Sequence, residues 1–204
     1  MAKIVKNIAC EVPTRANDLL LIGWFIANEP CYDELSRVIP SLDGKHACKR
    51  ELVAALKAKY STVEAFNTAW QAKAASLDEL IGSGLAVTTD AAKVDVKAFV
   101  GVFLETYLTQ IEKVFRQHDG NHLLIGSRLQ PITIENEQVC RSMGQHVDVV
   151  SYNYYTFGVD TAALKRYPEW TGGKPMMHSE FFWASPRTAA SSAVARSVRS
   201  RSAG

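Results

Sequence analysis

The sequence is short of several things. No stretch reaches the ~18 consecutive apolar residues of a membrane-spanning helix, and the opening Met1-Ala2-Lys3-Ile4-Val5-Lys6 has no secretory apolar core. Cysteine is scarce: Cys10, Cys31, Cys48 and Cys140 are scattered, and none stands in a C-x-x-C pair. A zinc or dithiol redox site is therefore not expected, and the four read as free structural residues. His46 and Cys48 belong to no metal-ligand pattern, so neither a metal nor a cofactor is expected. A surplus of one charge is also missing. The net charge is +2, yet residues 184–204 carry Arg187, Arg196, Arg199 and Arg201 and no acid. The remainder holds 19 basic against 21 acidic residues, which excludes the basic excess of a nucleic-acid binder. Apolar periodicity is absent from the same tail, where 16 of 21 residues are Ala, Ser or Arg. We expect residues 1–183 to form the folded domain and 184–204 to be a disordered or aberrant tail.

What is present suits one core. Apolar residues make up 47% of the 204 positions and charged residues 22%, the ordinary balance of a globular chain of this size. One stretch stands out. Leu19-Leu20-Leu21-Ile22-Gly23-Trp24-Phe25-Ile26-Ala27-Asn28 is an apolar run that ends abruptly in Glu29-Pro30. Such a run suits a buried strand of a parallel sheet, expected over about 19–28. Far downstream, Pro175-Met176-Met177-His178-Ser179 is also apolar and also ends in a glutamate, Glu180.

Between them the chain first makes a long excursion, over 30–95. Helices are expected over Lys49–Tyr60 and after Ser61, where Ser61-x-x-Glu64 has the form of a capping box; Ser76-x-x-Glu79 repeats it. Val96–Gln117 carries a continuous stripe of Val100, Phe103, Leu104, Tyr107, Leu108, Ile111, Val114 and Phe115, with Asp95 as its expected cap. Upstream, residues 2–10 read as a helix end. From His122 the rhythm is regular: strand 122–127, helix 135–144, strand 147–152, helix 161–167, strand 175–179. This is βαβ spacing and predicts a parallel sheet.

Two glutamates at strand ends of one parallel sheet suit retaining glycoside hydrolysis. One carboxylic acid protonates the leaving oxygen while the other attacks the sugar carbon, and their carboxyl groups must stand about 5–5.5 Å apart. Their surroundings must differ, so that one stays protonated and the other ionised. Taken alone, Glu29 would serve equally as an ordinary helix-start acid.

The motifs resemble a known group. Ile22-Gly23-Trp24-Phe25-Ile26-Ala27-Asn28-Glu29 is similar to the fourth-strand motif of clan A glycoside hydrolases, and Lys174–Phe181 to their seventh. Val149–Tyr155 resembles the sixth strand and Leu124–Arg128 the fifth. Within the clan the likeness points to glycoside hydrolase family 50, the β-agarases, with family 42 β-galactosidases as the near alternative. The segment from Lys49 to Trp70 also resembles the family 50 insertion. The resemblance implies an α/β fold, a partial (β/α)8 TIM barrel holding strands 4 to 7 with a long helical insertion after strand 4 that builds the wall of the site. Residues 1–183 would then be the C-terminal half of a TIM-barrel glycosidase domain. It implies Glu29 as acid/base and Glu180 as nucleophile, acting on a galactose-containing, agarose-like oligo- or polysaccharide. Asn28 would hold the sugar hydroxyl beside the scissile bond, and Tyr154 would hydrogen-bond the nucleophile, with Asn153 beside it. Arg128 is a substrate contact or a surface ion pair, and Trp183 a sugar-stacking platform. Trp24 is expected in the core and His178 in a structural role. Strands 1–3 and 8 have no counterpart, so the chain reads as a fragment, and an inert barrel remnant is the competing expectation. No nucleic acid or membrane partner is expected, and neither oligomeric state nor compartment is assigned.

Overall fold

The structure is a computed structural model that describes residues 2–155 and 161–181; Trp183 and the 184–204 tail lie outside them. Four strands carry the α/β architecture: β1 (Gly23–Asn28), β2 (Leu123–Arg128), β3 (Val150–Asn153) and β4 (Met176–Glu180). β1 pairs parallel with β2, from Gly23 opposite Leu123 to Asn28 opposite Arg128. β3 pairs parallel with β4, from Val150 opposite Met176 to Asn153 opposite Glu180. A parallel bridge between Leu129 and Tyr152 joins the two pairs. There the Leu129 N–H donates to the Ser151 carbonyl (3.1 Å), and the Asn153 N–H donates to the Leu129 carbonyl (2.8 Å). The strands therefore lie in chain order, all pointing the same way, and their C-terminal ends share one rim.

The first strand is shorter than its apolar run. Residues 15–21 form turns instead, closed by Asp18, whose carbonyl and side chain take the N–H groups of Leu21 and Leu20 at 3.0 Å each. Leu19, Leu20 and Ile22 are exposed, because ladder pairing with β2 begins only at Gly23. The pairing is also bulged. Trp24 faces Leu124 but Phe25 faces Gly126, so one extra β2 residue is accommodated. Gly126 takes φ 79° there, and a Cβ on it would sit 3.2 Å from a Val147 methyl.

Helices back the strands. α1 (Ala2–Glu11) precedes β1. The excursion after Glu29 supplies α2 (Leu35–Ser41), α3 (Ala47–Tyr60) and α4 (Val63–Trp70). α5 (Asp90–His118) leads into β2, α6 (Pro131–Ile134) and α7 (Glu137–His146) lead into β3, and α8 (Thr161–Trp170) leads into β4. Along α5, Val100, Leu104, Leu108 and Phe115 are buried in one core with Leu52, Phe66, Trp70, Leu124 and Tyr152. That is the expected stripe finding both the excursion and the sheet.

Several helix starts differ from expectation. α5 begins at Asp90, because the Thr89 hydroxyl accepts from Ala92 N–H and donates to the Ala69 carbonyl. Asp95 is inside the helix. Ser61 is not the cap of α4; it closes α3 at φ 55°, and Thr62 caps α4 by accepting from Ala65 N–H. The second box starts only a short 3-10 turn, Glu79–Ile81, with no side-chain cap. The expected helix 135–144 begins two residues later, at Glu137, because the Asn136 side chain accepts from Gln138 and Val139 and caps it as α7.

Candidate active site

Parallel order brings four strand ends to one rim, and each contributes a polar residue. Glu29 follows β1, Arg128 ends β2, Asn153 ends β3 and Glu180 ends β4. Asn153 is fully buried. Its Nδ2 donates to Glu29 Oε1 at 2.8 Å and to Glu180 Oε2 at 3.1 Å. The two N–H bonds of a planar amide diverge by about 120°. One amide nitrogen therefore joins the two carboxylates, each at hydrogen-bond distance.

The two carboxylates differ in their surroundings. Arg128 pairs with Glu180 Oε2 at 3.3 Å, and its guanidinium lies 5.4 Å from the centre of the Phe25 ring. The Tyr155 hydroxyl hydrogen-bonds Glu180, and this bond is the first reason that its pKa is pushed up to about 12. Burial and the negative charges of Glu180 and Glu29 push the same way, against Arg128. No ion pair is formed by Glu29 among the described residues. Its peculiarity lies in the backbone: φ is 48°, left-handed for a residue with a Cβ. Such a conformation costs about 1–2 kcal/mol and persists where neighbours hold it. Here the Glu29 N–H donates to the Arg128 carbonyl (2.9 Å), and Gln130 Nε2 donates to the Glu29 carbonyl (3.3 Å).

The remaining expected residues fall as follows. Asn28 is exposed at the end of β1, opposite Arg128 in the register. The tyrosine hydroxyl that bonds Glu180 is that of Tyr155; Tyr154 donates its backbone N–H to the Glu180 carbonyl (2.9 Å), and its ring stacks on His178, centroids 5.6 Å apart. Repeated tyrosines over 152–155 left that register open in the sequence. His178 also meets Tyr152 edge-on at 4.4 Å, and burial lowers its pKa, so it is a neutral packing residue. Trp24 is half-buried and donates from Nε1 to Asp119 at 3.1 Å, away from the rim. The excursion packs chiefly on α5. Only its first residues approach the rim side, with the Tyr32 hydroxyl 3.1 Å from Ser127 Oγ and Asp33 accepting from Thr133 Oγ1 at 2.9 Å. All four cysteines are free, and no metal-binding cluster occurs among the described residues. Sequence reading missed Gln130 and Ser179, which reach the site through single hydrogen bonds and carry no motif.

No protein-family model matches the chain, and no curated protein matches it by sequence. Solved structures do match. The structure of an exo-β-agarase superposes with a TM-score of 0.77 at 22% identity, over 88% of this chain and 26% of that one. The agarase AgWH50C gives 0.68 at 27% identity, over 87% of this chain and 27% of that one. The chain shares its fold with family 50 β-agarases. A β-galactosidase from the psychrophilic Marinomonas ef1 also matches, at TM-score 0.62 and 17% identity, over 88% of this chain and 31% of that one. The agarase fold is thus present in part, since this chain spans about a quarter of the agarases' own length.

Proposed function

We propose that this chain carries the reacting pair of a retaining β-glycoside hydrolase for galactose-containing, agarose-like polysaccharide. The observation that supports it most is the single Asn153 amide nitrogen shared by Glu29 at 2.8 Å and Glu180 at 3.1 Å, a close approach of the kind retaining chemistry needs. In this reading Glu180 attacks the anomeric carbon while Glu29 gives its proton to the departing oxygen. Glu29 then takes a proton from water, which releases the sugar from Glu180 with its configuration retained. Arg128 and Tyr155 hold the attacking group in place, by ion pairing and by hydrogen bonding. Asn28 and Trp183 are proposed substrate contacts, and Tyr154 shapes the wall through His178. The four strands are read as strands 4 to 7 of an eight-stranded barrel.

The test is hydrolysis of agaro-oligosaccharides and of an aryl β-galactoside, with the product anomer read by NMR. Glu180→Gln and Glu29→Gln are each expected to lower turnover at least about 10³-fold. Full turnover in the double variant would sink the assignment. Preference for the aryl galactoside over the agaro-oligosaccharide would favour the β-galactosidase alternative. One observation favours a second reading: the chain spans only 26–31% of these enzymes. On that reading it is an inert remnant, and it would release no sugar with either substrate.

A further inference from the structure

Ser179 lies next to Glu180 and belongs to none of the roles above. Its Oγ is 3.0 Å from Asn153 Oδ1 and 3.3 Å from the Tyr152 carbonyl. Asn153 is shut off from solvent, so bulk water does not compete with Ser179 for its side-chain oxygen. The amide's two hydrogens are already committed, one to each carboxylate. Its plane is then fixed at three points: Ser179 on the oxygen side, Glu29 and Glu180 on the nitrogen side. With only the two carboxylates as restraints, the amide would be free to turn about its Cβ–Cγ bond toward either one. A hydroxyl on the oxygen side removes that freedom.

We infer that Ser179 is a positioning residue: its hydroxyl anchors the Asn153 amide plane so that each carboxylate receives one N–H and their separation is held. As a role in catalysis this rests on the glycosidase reading; as a geometric device it does not. Serine suits the place because its hydroxyl is short and its one hydrogen has the Asn153 oxygen, at 3.0 Å, as the nearer of two acceptors; the residue stands at the register break of β4, between His178 opposite Tyr152 and Glu180 opposite Asn153. The residue that attacks and the residue that orients its partner are thereby consecutive on β4.

The anchor is read by NMR on the 204-residue chain, through the two Asn153 side-chain amide protons followed across the carboxylate titration range. In the parent both protons should shift with pH; Glu29→Gln should abolish the response of one and Glu180→Gln that of the other. Ser179→Ala should lose one of the two responses, while Ser179→Thr, which keeps the hydroxyl, should retain both. Unchanged responses in Ser179→Ala would overturn the inference, as would a parent amide that follows only one carboxylate or neither. A second measurement needs no substitution. The Ser179 hydroxyl proton should exchange slowly and show an Overhauser effect to the Asn153 amide, and rapid exchange with water would refute the anchor. Absence of sugar release with the amide responses intact would count against the glycosidase reading alone.

Discussion

Asp95 is the residue on which the excursion hangs. It sits inside α5 with its carboxylate nearly closed off from solvent, and it accepts from Lys59 Nζ, from the Tyr60 hydroxyl at 2.6 Å and from Trp70 Nε1 at 2.9 Å. Burial alone would raise its pKa, but these three donors outweigh burial and hold the carboxyl below its ordinary value. Its contribution to stability is thus present above the ordinary carboxylate range and is lost as pH falls through the depressed pKa. Asp95→Ala should cost about 3 kcal/mol in chemical denaturation, mostly through the stranded Tyr60 and Trp70 donors; half-exposed Lys59 adds little. A loss below about 0.5 kcal/mol would show that the donors find water instead. In sequence Asp95 reads as a cap, because an acid before an apolar stripe is the usual sign of one. The signal it really carries is long-range, from Lys59, Tyr60 and Trp70, and no local pattern encodes that. Glu29 and Glu180 were legible for the opposite reason: a charge that interrupts an apolar run has no packing explanation. Tyr155 was not, since a run of aromatic residues fixes no register.

At the level of elements, α7 is tied to α5 by one imidazole. His146 ends α7, with Nδ1 2.9 Å from Glu112 and Nε2 2.9 Å from Glu105, both on α5. Only the protonated ring donates from both nitrogens. Burial pulls its pKa down, but the two carboxylates outweigh burial and raise it, and the helix C-terminus suits a cation as well. The sign follows: the tie is at full strength below the ordinary histidine pKa and weakens as pH rises through the raised value. The stability gap between parent and His146→Ala, from urea midpoints, should therefore be larger at pH 5.5 than at pH 9. An equal gap at both would mean that His146 acts by packing alone. The long helices and the four described strands were readable from periodicity and βαβ spacing; the short α2 and α6 were not. Element ends were not, because Thr89, Thr62 and Asn136 won their caps by geometry against neighbours that look as suitable in sequence.

For the whole molecule, the telling surface is the outer edge of β1. Among the described residues no strand pairs with it, and the turn before it bares Leu19 at 98%, Leu20 at 93% and Ile22 at 73% exposure. An open strand edge beside apolar side chains is an association surface. The 204-residue chain should sediment as more than a monomer at high concentration, and Leu20→Lys with Ile22→Lys should shift it toward monomer. A parent that stays monomeric throughout would remove this inference. The apolar run itself was plain in the sequence, and it suggested burial. Burial did not follow, because a hydrophobic segment is covered only when a partner strand stands beside it, and that is a property of the assembly rather than of the segment.

The left-handed backbone at Glu29 sets the chain's two demands against each other. Glycine adopts that conformation without penalty, so Glu29→Gly should melt about 2–4 °C higher than the parent while losing the carboxylate. A thermal-tolerance screen would then enrich replacements at this very position. On the proposed role of Glu29 as acid/base, the most heat-resistant members of such a library would be the ones without the proton donor.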